Sequence, residues 1–519
     1  VSCDINEESF MVNKIRTIGL AAVWVAVCQG CATVDPRPDY DRVTRHIANA
    51  TGNENVYRPN DDALVDELVN ELVRDGISTD EAVQISLLNN PSLHAAFMDV
   101  GMARADAVQA GLFSNPFVGV SARFPDGGGL ANIEAGVAQN IAEVWQIPIR
   151  KRAAERSLDA AILDLARAAA EIAANAKAAY YVAVGTDARS RIAQENLNIA
   201  KNLLDLALTR QEAGAASELD VNLSRGIALD ADIEVERARL ATANARRELA
   251  TLLGLTGDAN ELELTDSLPT ESPEAPDSES LVQLARVWRL DIQTAQQTVA
   301  AAQIRLEYEY QLVWPIVELG VEMERADRSS QGGRDILADT ARASIADGGL
   351  TAPEIQPRSE RRSEKGQDFI LGPSLGIELP LFDQNQAQIA KAQYALQQAR
   401  KTLVALDRAV TQEVRSAVDR AMTAWRLLKL YRDQSNPLAQ RNLDLSHEAY
   451  RAGRASFLSV LEAQRFFLET RRGYVDASQT AAIAVPELER TIGLPFAKLV
   501  TEINAESAQG ADAVEEVEP

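Results

Sequence analysis

Residues 213–221 read Ala213-Gly214-Ala215-Ala216-Ser217-Glu218-Leu219-Asp220-Val221, and residues 452–460 read Ala452-Gly453-Arg454-Ala455-Ser456-Phe457-Leu458-Ser459-Val460. The two stretches lie 239 residues apart, each between two long segments of helical periodicity. Gly214 and Gly453 can take the left-handed conformation that ends a helix. Ser217 and Ser456 can cap the helix that follows, and Asp220 completes a capping-box-like pattern after Ser217. Both stretches therefore predict the turn of a helical hairpin, and the chain carries two copies of one unit.

The repeat extends outward. Leu252-Leu253-Gly254-Leu255 matches Thr491-Ile492-Gly493-Leu494 at the same offset, and Leu93, Ala96 and Pro116 match Ile292, Ala295 and Pro315 at an offset of 199. The second copy is longer by 40 residues, inserted after the Pro315 region. The copies span roughly 79–255 and 278–494. Residues 256–277 form a linker whose end, within TDSLPTESPEAPDSES (265–280), is rich in Pro and acid. Residues 31–78 read as an N-terminal anchor and equatorial segment, and 495–519 as an acidic disordered tail.

Each copy follows one plan. A first helix covers 79–112 or 278–313, and Ser78 to Glu81 form a cap region. Two short alternating stretches follow. A long helix covers 149–211 or 385–450, and a return helix covers 218–254 or 457–493. Ile389, Ala392, Leu396, Ala399, Leu403, Leu406 and Val410 alternate steps of three and four, the seam of a coiled coil. Pro437 is expected to kink the long helix of copy two. At 1.5 Å per residue, 149–211 makes a rod of about 95 Å, some three times the thickness of a bilayer's hydrocarbon core. It is studded with charge and is not transmembrane.

The alternating stretches are candidate strands. Val118, Val120, Ala122 and Phe124 alternate with Gly119, Ser121 and Arg123; Ile133, Ala135 and Val137 with Glu134 and Gly136. Val317, Leu319, Val321 and Met323 alternate with Glu318, Gly320, Glu322 and Glu324; Leu375, Ile377, Leu379 and Leu381 with Ser374, Gly376, Glu378 and Pro380. Such a period fits strands between lipid and a water-filled lumen, and equally a half-buried soluble sheet. Four strands cannot close a barrel, and an open edge cannot sit in lipid. If they span a membrane, three chains would supply twelve strands, with the polar insertion at about 325–366 as a long outer loop. Glu134, Glu318, Glu322, Glu324 and Glu378 stand against Arg123 alone on the polar face. That is a cation-favouring lumen if they line a pore, or otherwise a solvated acidic face. The fold class is mainly α with a small β part.

Composition narrows the function. Of 519 residues, 52 are Lys or Arg and 76 Asp or Glu, a formal net charge of −24, which argues against a nucleic-acid partner. Cys3, Cys28 and Cys31 are the only cysteines, and His46, His94 and His447 are scattered without metal spacing. No P-loop or dinucleotide fingerprint occurs, no nucleophile–base set can be named, and no cofactor, metal site or enzymatic activity is expected. Residues 1–30 read as a signal peptide with a start at Met11, a basic Lys14 and Arg16, and a short apolar run Leu20–Val27. Gly30-Cys31 resembles a bacterial lipobox, with Cys31 the acylated (palmitate-bearing) first mature residue and Ala32 after it pointing to the outer membrane. An ordinary secretory signal is the alternative.

ISTDEAVQISLLNNPSLHAAFMDVGMARADAVQAGLFSNP (77–116), the two AGxAS turns and the LLGL and TIGL endings together resemble the TolC-type outer-membrane efflux family over about 79–494. ELPLFDQNQAQIAKAQ (378–393) resembles its heavy-metal, CzcC/CusC-like, branch. The resemblance implies a homotrimer in outer-membrane lipid, with a shared twelve-stranded barrel and a periplasmic helical tunnel. It implies a periplasmic adaptor at the tips and an inner-membrane pump, of resistance-nodulation-division type, as the energy source. It places gate positions just past the tips: Asp220, Ser459 and Glu462, flanked by Tyr450 and Arg454. Ser459 departs from the family's acidic pattern. The expected function is a passive exit duct for metal ions or other cations. A drug-efflux or type I secretion duct of the same family, or a pore-less coiled-coil structural lipoprotein of the periplasm, are the alternatives.

Overall fold

The computed structural model describes residues 32–59, 61–124, 131–271, 277–327, 336–350, 367–496 and 498–499. Cys31, residues 1–30 expected to be a signal peptide, most of the long insertion and the tail from 500 onward lie outside the described residues. The chain divides into a helical unit (Val1–Val108, Glu155–Ala300, Gln397–Pro519) and a second unit (Gln109–Ala154, Ala301–Leu396) that holds the sheet. In chain order the elements are α1 (Arg37–Thr51), α2 (Asp62–Arg74), α3 (Thr79–Asn89), α4 (Pro91–Ala110), β1 (Phe117–Arg123), β2 (Asn132–Asn140), α5 (Glu143–Glu212) and α6 (Glu218–Leu252). The second copy continues with α7 (Ser278–Trp288), α8 (Leu290–Gln311), β3 (Ile316–Asp327), α9 (Ile336–Asp347), β4 (Gln367–Glu378), α10 (Gln386–Leu430), α11 (Asn436–Arg451) and α12 (Phe457–Ile492).

Both copies follow the expected order of elements, but α5 starts at Glu143 rather than 149, running through Pro148, and the first helix of each copy differs. The first helix is two helices, broken at Asn90 and again at Arg289. Pro91 disfavours helical geometry at Asn90, which is extended, while the Asn90 carboxamide oxygen accepts from Ser92 N (2.9 Å) to start α4. Arg289 has no proline after it, yet is also extended. There the cause is tertiary. Arg289 donates to Thr491 O (3.1 Å), to Glu413 (2.8 Å) and to Asp291 (2.6 Å). Asn90 donates to Leu252 O (2.9 Å), the repeat equivalent of Thr491 O. In both copies the break receives the end of the return helix. Gly254 and Gly493 have positive φ (67° and 85°), and a Cβ on either would press on the carbonyl of Asn89 or Trp288. This explains why LLGL and TIGL carry glycine at that place.

The core of the helical unit is the continuation of the sequence seam. Val410, Val414, Ala417, Ala421, Ala424 and Leu428 of α10 pack with Leu281, Leu284 and Ala285 of α7 and with Ala477, Ala481, Ala484, Leu488 and Ile492 of α12. Steps of four and three and small alanines bring the helix axes close. Leu494 and Leu499 join this cluster, so order extends past 494 into the expected tail. The linker is also ordered as far as it is described: Ile77 N donates to Glu263 O (2.8 Å), Thr265 N to Ile77 O (3.1 Å), and Asp266 accepts from Thr79 N and Oγ1 (2.7 Å each). Buried Tyr180 donates to Ile77 O (2.8 Å) and accepts from Asp266 N (2.9 Å).

The expected kink at Pro437 takes a specific form, a π turn over Tyr431–Ser435 directly before α11.

Candidate channel lining and tip turns

The sheet order is β1-β2-β3-β4, antiparallel throughout. Directly paired residues project to one face. The register Ser121↔Glu134↔Glu324, Gly119↔Gly136↔Glu322 and Asn140↔Glu318↔Gly376 therefore puts Arg123, Glu134, Glu318, Glu322, Glu324 and Glu378 together on one side. Phe117, Ile316 and Ile370 share that side, which alternation alone did not reveal. Glu134 and Glu324 face each other, an unfavourable pair, and Arg123 (2.8 Å) and Ser121 (3.2 Å) both donate to Glu134. The opposite face carries Val118, Val120, Val137, Leu319, Val321, Phe369, Leu371, Leu375 and Ile377, every one exposed in the single chain, Val120 at 72% and Leu371 at 63%. Among the described residues the outer edges of β1 and β4 pair with no other strand.

β4 ends at Glu378, earlier than the alternation through Leu381 suggests. Pro380 has no N–H for a ladder, and Leu381 N turns back to Leu379 O (2.9 Å). α9 lies inside the long insertion.

The two AGxAS stretches form the turns of helical hairpins. Gly214 (φ 72°) and Gly453 (φ 70°) close α5 and α11, with Ala215 N reaching Arg210 O (2.7 Å) and Arg454 N reaching Ala449 O (2.8 Å). Ser217 and Asp220 form a full capping box: Asp220 N donates to Ser217 Oγ (3.2 Å), and Ser217 N (3.0 Å) and Oγ (2.9 Å) both donate to the Asp220 carboxylate. Ser456 Oγ accepts from Ser459 N (3.4 Å), and Ser459 Oγ donates to Ser456 O (2.6 Å). The Asp220 carboxylate is thus engaged in the turn. Tyr450 is only 5% exposed and packs with Leu203, Phe457 and Val460. Arg210 lies over its ring at 4.5 Å and donates to its carbonyl (2.9 Å). Sequence reasoning missed Arg210, whose partner is distant in the chain. Arg454 and Glu462 are exposed, and the structure does not bring them together. His447, three residues before Tyr450, has its pKa lowered by burial and by Arg451.

Among the described residues no helix is long and apolar enough to cross a membrane, and no group of three or more His, Cys, Asp or Glu is arranged to hold a metal.

The chain is 25% identical to the pyoverdine export outer membrane protein OpmQ of Pseudomonas aeruginosa, covering 80% of this chain and 83% of that protein. It is 24% identical to nodulation protein T of Rhizobium leguminosarum bv. viciae, covering 78% and 77%. Its fold is similar to the solved outer membrane protein VceC of Vibrio cholerae, with a TM-score of 0.63, 18% identity, and coverage of 80% of this chain and 96% of that one. The sequence model of the outer membrane efflux protein family matches residues 82–255 and 281–494, so both copies are accounted for and the chain belongs to that family.

Proposed function

We propose that the chain is one of three identical subunits of an outer-membrane exit duct that conducts cations, metal ions among them, out of the periplasm. The observation that carries this is the sheet: an exposed apolar face, an acidic opposite face, and two open edges. An apolar face of that extent is stable against lipid, and open edges are tolerated there only when neighbouring copies pair with them. The acidic face then lines the lumen and favours cations. A periplasmic adaptor meets the Gly214 and Gly453 tips, and an inner-membrane pump of resistance-nodulation-division type supplies the energy. Of the gate candidates, the exposed Arg454 and Glu462 take part in closing the entrance, while Tyr450 and Asp220 hold the turns. Acylation at Cys31 adds a second hold on the membrane.

Purified protein in planar bilayers tests the duct. Heat-labile trimers and discrete cation-selective conductance are expected; monomers and a sealed bilayer would favour a structural lipoprotein. Cys31→Ser is expected to abolish palmitate labelling and leave trimers intact, since a barrel inserts by itself; unchanged labelling would place the processing site elsewhere.

A further inference from the structure

The helical unit holds a cavity of about 110 Å³ where the end of α1, the middle of α5, the break at Arg289 and the end of α12 meet. That volume accepts several waters but falls short of the roughly 300 Å³ of a drug-sized pocket, so it suits an ion or a molecule of a few heavy atoms. Small side chains, Ala50 of α1 and Ala170, Ala173 and Ala174 of α5, leave the space open. Its other walls are charged. Arg167, Lys177, Arg289 and Arg490 line it, and so do Glu171, Asp291 and Glu489.

The hydrogen bonds decide which sign is left over. Glu489 accepts from Lys177 Nζ (2.7 Å) with one oxygen and from Phe496 N (2.9 Å) with the other. Asp291 accepts from Arg289 with both oxygens (3.0 and 2.6 Å) and from Ile292 N (2.8 Å). Glu171 is half-exposed and makes only a 3.5 Å contact with Arg167. The two buried acids are therefore spent. The bases are not. Among the described residues Lys177 bonds Glu489 alone and keeps N–H donors to spare. Arg490 uses one nitrogen, toward Glu413 (3.2 Å), and Glu413 does not line the cavity. Arg167 reaches Asp164 and Glu171 only at 3.6 and 3.5 Å. Arg289 is 9% exposed and fully engaged, so it lends positive charge rather than donors. In a chain of net charge −24, this cavity has more bases than acids and a surplus of unused donors.

We propose that the cavity binds a small oxyanion, of phosphate or carboxylate type, held by Lys177, Arg490 and Arg167. Charge-assisted hydrogen bonds from these groups replace the ones the oxyanion makes to water, in a site where burial strengthens them. Bound there, the oxyanion bridges α5 of repeat 1 to α12 of repeat 2 beside the end of α1. It reinforces the Lys177–Glu489 pair that already joins the two repeats. The site goes beyond the duct reading and does not depend on it.

Isothermal titration of the full chain in detergent micelles, at constant ionic strength, tests the site apart from conductance. Inorganic phosphate is the probe in one arm and malonate in the other. One oxyanion per chain is expected, saturating near about 1 mM. Lys177→Gln and Arg490→Gln should each weaken binding about tenfold. The half-exposed pair supplies a readout that misfolding does not mimic. Arg167→Gln should weaken binding about threefold and Glu171→Gln should tighten it about threefold. Unfolding midpoints of both variants in chloride should match the unmodified chain, since such a pair contributes little to stability. Tighter binding in either arm supports the proposal and names the class of oxyanion. No saturable binding of either probe, or an affinity unchanged in Lys177→Gln, Arg490→Gln and Arg167→Gln alike, would overturn it.

Discussion

Single glycines separate two kinds of constraint in this chain. At Gly453 the backbone φ is 70° and a Cβ would meet nothing within 4 Å, so Gly453→Ala costs only the left-handed conformation, about 1 kcal/mol. At Gly254 the φ is similar, 67°, but a Cβ would overlap the carbonyl of Asn89, whose side chain also holds Leu253 O and Gly254 O. Gly254→Ala is therefore expected to cost roughly 3 kcal/mol, from overpacking added to the same φ penalty. Thermal unfolding in detergent checks the difference: the midpoint should drop clearly for Gly254→Ala and little for Gly453→Ala. Equal drops would mean that the joint at Asn89 gives way freely. Arg210 has a comparable local weight. Arg210→Ala removes the cation–π contact and one hydrogen bond to Tyr450 O, with an expected loss of about 1–2 kcal/mol that Arg210→Lys restores only in part.

At the scale of elements, what was legible in the sequence was local chemistry. The two tip turns rest on side chains that bond backbone three residues away, so AGAASELD and AGRASFLS could be read directly. Ser217→Ala is expected to cost about 1 kcal/mol at the start of α6 and to speed amide exchange at 218–221, because the Asp220 box loses its hydroxyl. Protection unchanged at those amides would show that the turn is held from elsewhere. The first three strands were legible because one neighbour alternates with the next. β4 was placed late because Leu379 and Leu381 continue the alternation beyond Pro380, while Phe369, Ile370 and Leu371 put apolar side chains on both faces. The break at Arg289 was not legible at all. Its extended backbone is set by Thr491 O and Glu413, both more than a hundred residues away. The burial of Tyr450 was hidden for the same reason, since Leu203 and Arg210 come from the other copy.

For the whole molecule the decisive quantity is the charge on the polar face of the sheet. Of the six residues singled out there, Arg123 is bound to Glu134, which leaves Glu318, Glu322, Glu324 and Glu378 to set the field of any lumen they line. Three copies around one axis would multiply that charge in a narrow, low-dielectric wall, where it acts on every passing ion. Glu318, Glu322 and Glu378 are exposed, so replacing carboxylate by amide leaves packing unchanged. The triple variant Glu318→Gln, Glu322→Gln, Glu378→Gln is therefore expected to assemble as the unmodified protein does. It should lose roughly half or more of the reversal potential measured across a salt gradient, with conductance itself little altered. The effect should shrink as ionic strength rises and the screening length falls to about 3 Å at 1 M. An unchanged reversal potential at low salt would mean that these carboxylates face bulk water on the outside of the wall. The exposed Val120, Val321 and Leu371 face would then be the inner one, and the assignment of lipid and lumen would have to be exchanged.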